Sequence, residues 1–206
     1  MEKDYLKDIT EIRSMMEKSS KFISLSGLSG ILAGIYALVG AYFAYEVAYT
    51  TTDDVVYGQQ IVRNAKANAQ SLLLIALGVL ALTVITGLIL TKIKAKKEGV
   101  KSWDDTTKNL LTNLAIPLVT GAIVTYILYI NGIIGLIAPF TLIFYGLGLI
   151  NASHFTYRDI KYLGISEIIL GLIACFIVGK GLIIWAIGFG VLHIVYGSLM
   201  YFKYER

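Results

Sequence analysis

Cysteine, proline and charged residues are all scarce in this chain of 206 residues. The single cysteine, Cys175, excludes an intramolecular disulfide. The two prolines, Pro117 and Pro139, can each kink a helix. Charged residues make up 16% of the chain, against roughly a quarter in an ordinary soluble domain. Several stretches of more than about 18 residues carry no charge, which excludes soluble globular, disordered and collagen-like classes.

Histidine is equally scarce, with His154 and His193 as its two occurrences. They are too few and too differently placed to be the paired haem ligands of a membrane cytochrome. The chain has no His-x-x-x-His motif, no cysteine cluster and no glycine-rich phosphate loop. The sequence therefore predicts no metal site, no cofactor and no catalytic residue set.

Apolar residues dominate, at 56% of the chain with a mean hydropathy of +0.71. Runs of about 20 residues match a hydrocarbon slab about 30 Å thick, and lipid offers no partner for free backbone groups. The sequence predicts an all-α polytopic membrane protein with six transmembrane helices in one domain, 22–206. The predicted spans are 22–45, 71–90, 110–130, 133–153, 160–179 and 182–202.

The basic residues predict the orientation of these spans. With the N-terminus inside, 15 of the 18 lysines and arginines fall on the cytoplasmic side, and the outside keeps Arg63, Lys66 and Lys180. This bias follows the positive-inside rule. Both termini are therefore predicted to be cytoplasmic, in a bacterial inner membrane. The excess basic charge sets topology, and no nucleic-acid-binding motif accompanies it.

Two cytoplasmic segments are candidates for contact with the membrane surface. Residues 1–21 form a predicted amphipathic helix, which would lie on the membrane, dock on the protein's own loops or bind a partner. A lysine cluster after span two is suited to anionic lipid headgroups, although a topology signal alone would explain it. Its members are Lys92, Lys94, Lys96 and Lys97.

Small residues form stripes that predict where helices touch. Ser26, Gly30, Gly34, Ala37 and Ala41 fall along one stripe of span one. Similar stripes run along span five (Gly164, Gly171, Ala174) and span six (Ala186, Gly190, Gly197). The stripe on span one would serve packing within one chain or between chains equally, so a homo-oligomer stays open.

Two ionisable residues interrupt the stripes of the last two spans. Glu167 lies on the Gly164/Gly171 face, and His193 lies between Gly190 and Gly197. Each is thirteen positions from Lys180, the centre of the turn between the spans. Equal distances from an antiparallel turn mean equal depth, so we expect the two to be level and near mid-membrane. The pair is either a proton-coupled or substrate-binding site or a structural clamp.

A second polar cluster is predicted at the cytoplasmic end of spans three and four. Asn113 opens span three, Asn151 closes span four, and His154 and Arg158 follow. The last two are suited to an anionic headgroup or a carboxylate. Helix capping and interfacial snorkelling are the alternative roles.

Two stretches carry a resemblance to known proteins: Ser24-Leu25-Ser26-Gly27-Leu28-Ser29-Gly30, and residues 151–204 around the last hairpin. In these the chain resembles a group of uncharacterised bacterial six-span inner-membrane proteins. Its architecture is similar to that of the HdeD-type acid-resistance membrane proteins. It departs from them in its charged N-terminal helix and its longer first and second loops, and neither group supplies a functional residue.

The sequence thus favours a small inner-membrane protein that binds or transports a small molecule, lipid or proton through a cavity near Glu167 and His193. The alternative is a structural or regulatory membrane protein that recruits a cytoplasmic partner. An intramembrane enzyme ranks third.

Overall fold

A computed structural model describes residues 26–49, 68–99, 103–177 and 179–206. These residues form helices and no strand, so the all-α prediction is confirmed. The helices are α1 (Gly27–Tyr49), α2 (Ala69–Glu98), α3 (Asp105–Ile130), α4 (Ile137–Ala152), α5 (Asp159–Phe176) and α6 (Gly181–Tyr204). Short 3₁₀ turns, Ile134–Leu136 and Ser153–Phe155, flank α4. The predicted helix at 1–21 and the first four residues of span one lie outside the described residues.

Five helices are long and apolar enough to cross a membrane: α1, α2, α3, α4 with its flanking turns, and α6. Helix α5 occupies the position of the fifth predicted span, but it is 18 residues long and carries three charges. These are Asp159, Lys161 and Glu167. Length and composition therefore support five of the six predicted spans.

Helix α2 extends eight residues beyond the predicted end of its span, to Glu98. The apolar run stops at Leu90, but lysine and glutamate are good helix formers and continue the helix through the lysine cluster. It ends at Gly99, whose φ of 69° gives the left-handed cap that glycine adopts readily. At about 1.5 Å per residue the helix is about 45 Å long, which exceeds the hydrocarbon thickness.

Helix α3 begins five residues before the predicted span because of a capping residue. Asp104 accepts hydrogen bonds from the hydroxyl (2.6 Å) and the backbone N–H (2.7 Å) of Thr107. These bonds hold the pKa of the Asp104 carboxyl below its ordinary value, so the cap persists at neutral pH. Asp104 is therefore the N-cap residue of α3, a position that aspartate favours.

The helices pack in an order that leaves two of them at the periphery. Helix α6 contacts α1, α4 and α5, whereas α2 packs mainly against α1 and α3 against α4. The most apolar stretch of α2 contains no buried residue. Two helical hairpins are present: α3 contacts α4 across Asn131–Gly132, and α5 contacts α6 across the turn at Gly179.

Helices α1 and α6 approach each other through glycines. A Cβ atom built on Gly34 would lie 2.6 Å from the carbonyl oxygen of Gly190 and 2.7 Å from Cγ1 of Ile194. One built on Gly197 would lie 2.6 Å from the backbone nitrogen of Ile31. Backbones this close leave no space for a side chain. The predicted stripes of spans one and six are therefore packing surfaces for each other.

The same contact recurs between α4 and α5. A Cβ atom on Gly146 would lie 2.5 Å from the carbonyl oxygen of Gly164 and 2.7 Å from Cγ1 of Ile168. One on Gly171 would lie 2.6 Å from Cγ1 of Ile143. The stripe of span five thus docks on α4. The bundle consists of two antiparallel helix pairs, α1·α6 and α4·α5, which meet where α6 contacts α4 and α5.

Candidate functional site

Glu167 and His193 occupy matching positions in the two helix pairs. Glu167 follows Gly164 by three residues in α5, and His193 follows Gly190 by three residues in α6. Gly164 faces α4 and Gly190 faces α1, each within its own pair. Glu167 of α5 lies against Gly188 of α6, and His193 of α6 contacts Tyr145 of α4, so both side chains point into the layer where the pairs meet.

The imidazole of His193 is held at both ring nitrogens. Nδ1 lies 3.1 Å from the carbonyl oxygen of Gly188, and Nε2 lies 2.8 Å from the hydroxyl of Tyr145 on α4. Because a carbonyl oxygen accepts and never donates, the hydrogen of the neutral ring belongs on Nδ1. Nε2 then accepts from the Tyr145 hydroxyl. The His193 side chain is 8% exposed.

The carboxylate of Glu167 is fully buried beside this ring. Its Oε1 atom lies 3.5 Å from Nδ1 of His193, which confirms that the two residues are level. That distance is too long for a good hydrogen bond, and Nδ1 is already directed at Gly188. Neither carboxylate oxygen has a hydrogen-bond partner among the described residues. Glu167 therefore contributes little as a structural clamp.

A π-helical segment, Ala186–Leu192, shapes α6 at this level. A π turn contains one residue more than an α turn and changes the partners of its carbonyl groups. Here Gly188 presents its carbonyl oxygen to the His193 ring. Gly188 also packs against Glu167, because a Cβ atom built on it would lie 2.5 Å from Oε2.

Aromatic rings cover the same site along α6. Phe189 lies 4.8 Å from Tyr145 and 4.8 Å from Trp185 between ring centroids. Its ring also stacks on His193 with an interplanar angle of 17°. These rings bury the imidazole in apolar surroundings, which strengthens every electrostatic interaction it makes.

The second predicted cluster does not form as a unit. Asn113 donates to the backbone oxygen of Asn109 within its own helix, at 2.8 Å. Asn151, His154 and Arg158 are exposed, and none of the four hydrogen-bonds to another of them. The backbone of its own helix satisfies Asn113, and the other three side chains lie at the surface, so none of the four needs another as a partner. A role for them in binding a headgroup stays a prediction.

A different polar network joins the helix ends on this side. Glu205 accepts hydrogen bonds from the backbone N–H of Gly27 at 2.5 Å and from the hydroxyl of Ser26 at 3.2 Å. It also pairs with Lys94 of α2 at 3.2 Å. A carboxylate at a helix N-terminus is favoured by the free N–H groups and the helix dipole. No local sequence pattern indicates this clamp, because Glu205 and Gly27 are 178 positions apart.

Asp159 forms the second half of the network. It accepts from Lys203 and from the Tyr204 hydroxyl, both at 2.8 Å. Tyr204 in turn stacks on Tyr157 with 4.1 Å between ring centroids. Glu205 and Asp159 together attach the end of α6 to α1, α2 and α5.

A groove lies at the other end of α4 and α5. It is lined mainly by the backbone and side chains around Ile133–Leu136 and by Ala174 and Cys175. Ala174 is seven residues from Glu167, or about 10 Å along α5. The groove therefore lies apart from the polar site, near which the sequence predicts a cavity.

No family model, no curated protein and no solved structure matches this chain. The class of protein is therefore defined by the fold and site alone. The described chain is an all-helical protein with five helices apolar enough to cross a membrane. Its two helix pairs enclose a Tyr145–His193–Glu167 triad, in which Glu167 and His193 are buried and Tyr145 is half-buried. The resemblance to bacterial six-span proteins stays a prediction.

Proposed function

We propose that this protein spans the bacterial inner membrane six times, with both termini in the cytoplasm. Five apolar helices support this topology, and α5 packs with α4 and α6 at the position of the remaining span. The distribution of 15 basic residues against three supports the orientation. The exposed lysines at the end of α2, Lys92, Lys96 and Lys97, would then meet anionic headgroups, whereas Lys94 pairs with Glu205.

We further propose that the protein binds or transports a small molecule, lipid or proton at Glu167 and His193. One observation carries this proposal: a fully buried carboxylate has no hydrogen-bond partner among the described residues. Burying such a group costs several kcal/mol. Since His193 already has Gly188 and Tyr145 as partners, it does not need Glu167 for its own satisfaction. Intramembrane ionisable residues of this kind are functional by default.

The proposal is tested by thermal unfolding in mild detergent across pH and with a panel of phospholipids and small organic anions and cations. We expect the unfolding temperature of the wild-type protein to depend on pH or on one of these compounds. Glu167→Gln should remove the part of that dependence that comes from the buried carboxyl group, while the part that comes from capping carboxylates such as Asp104 remains.

Glu205→Gln is the matched control, since Glu205 lies at the end of the bundle and outside the site. It should lower the unfolding temperature but keep the dependence of the wild-type protein. Identical pH and ligand profiles for wild type and Glu167→Gln would contradict the proposal.

A further inference from the structure

We propose that the species bound at Glu167 is a proton, delivered through the His193 ring from the Tyr145 hydroxyl. This inference rests on the proposed function and names its substrate. The geometry that carries it is the line from Tyr145 Oη to His193 Nε2 at 2.8 Å and from Nδ1 to Glu167 Oε1 at 3.5 Å. Tyr145 thereby becomes a third functional residue.

The packing around the carboxylate excludes larger ligands. Glu167 is fully buried, Gly188 lies against Oε2, and the adjoining Leu142 is also fully buried. A lipid or an organic molecule has no volume to occupy there. A metal ion would need several ligating side chains, and no group of three or more histidine, cysteine, aspartate or glutamate side chains lies together among the described residues. A proton needs only the carboxylate oxygen.

The imidazole ring is arranged to pass a proton from one nitrogen to the other. Tyr145 gives its hydroxyl proton to Nε2 and is reprotonated by the incoming proton, so the ring becomes an imidazolium. The Nδ1–H bond then breaks and an Oε1–H bond forms on Glu167, which leaves the neutral ring with its hydrogen on Nε2. One proton enters and one is bound, and the reverse sequence releases it.

The transfer to Glu167 requires only a small movement. Nδ1 and Oε1 must approach from 3.5 Å to a hydrogen-bonding distance of about 2.8 Å. Nδ1 would exchange the Gly188 carbonyl for the carboxylate in this step. Tyr145 from α4 and His193 from α6 are the titratable groups that face Glu167 from the helices packed against α5. Asp159 and Lys203 pair with each other at the bundle end.

Infrared difference spectroscopy of the full-length protein in lipid tests this pathway. The C=O band of a protonated carboxyl group should appear when the pH is lowered, and Glu167→Gln should remove it. After transfer into D₂O, this band should shift as the carboxyl proton exchanges for deuterium. Tyr145→Phe and His193→Gln should slow the exchange by about 10²-fold, the usual contribution of a positioned proton-transfer group.

Ser166→Ala is the matched control, because the Ser166 hydroxyl donates to Tyr162 within its own helix and lies outside the pathway. It should exchange at the wild-type rate. An absent Glu167 band, with an unfolding profile still sensitive to Glu167→Gln, would overturn the proton assignment and leave the proposed function in place. A band that exchanges as fast in Tyr145→Phe and His193→Gln as in the wild-type protein would overturn the pathway. Loss of both the band and the sensitive profile would refute both proposals.

Discussion

Glu167→Met is expected to leave the protein at least as stable as wild type while it abolishes proton binding. Methionine has a similar volume and removes a buried carboxyl group that has no hydrogen-bond partner among the described residues. Replacing buried ionic groups by apolar residues is often neutral or stabilising. His193 keeps its bonds to Gly188 and Tyr145, so no partner is left unsatisfied. Thermal or denaturant unfolding in detergent measures the effect.

Glu205→Met is the control, with the same substitution at a carboxylate that does have partners. It removes the acceptor of the Gly27 N–H and the Ser26 hydroxyl, and it breaks the pair with Lys94. Losing hydrogen bonds to a charged group should cost about 1–3 kcal/mol of the free energy of unfolding. If Glu167→Met destabilises as much as Glu205→Met does, Glu167 is a clamp and the functional interpretation fails.

Gly34→Ala is expected to destabilise the protein strongly, although it adds a single methyl group. Its Cβ atom would lie 2.6 Å from the carbonyl oxygen of Gly190 and 3.0 Å from the backbone nitrogen of Ile194. Both are backbone atoms of α6, so the two helices must separate. Overpacking of this kind typically costs about 1–3 kcal/mol, which the unfolding midpoint of the purified protein reports.

Gly87→Ala supplies the comparison, because a Cβ atom at Gly87 meets nothing within 4 Å. Without a clash, alanine should stabilise α2 by about 0.5–1 kcal/mol through its higher helix propensity. Equal effects at Gly34 and Gly87 would contradict the direct contact between the α1 and α6 backbones.

The equal depth of Glu167 and His193 in the bundle can be predicted from the sequence, because it depends only on counting residues along two helices from the turn between them. Thirteen residues on either side of Lys180 place them together, and their position three residues after a contact glycine turns both inward. A second count, from the connection between α4 and α5, places Tyr145 at the same depth as well. Tyr145 and Glu167 are each eleven residues from Thr156, between α4 and α5. Tyr145 is not among the residues singled out from the sequence, because one of fourteen tyrosines does not stand out by residue type.

Other features depend on contacts that no local pattern reports. The π-helical turn at Ala186–Leu192 directs Gly188 to the His193 ring, and its residues read as an ordinary apolar helix. The bond between Glu205 and Gly27 joins residues 178 positions apart. Asn113, which the sequence groups with Asn151, donates instead to the backbone oxygen of Asn109 in its own helix. The three charges of α5 keep it out of the five spans that length and composition support, although it packs with α4 and α6.

The most direct test of the central claim is proton uptake by the purified full-length protein in mild detergent. A small acid pulse is applied in weakly buffered solution, and a pH-sensitive dye reports the protons that the protein takes up. Wild type and Ser166→Ala are expected to take up about one proton more per chain than Glu167→Gln does. Equal uptake by wild type and Glu167→Gln would contradict the assignment of Glu167 as the proton-binding group.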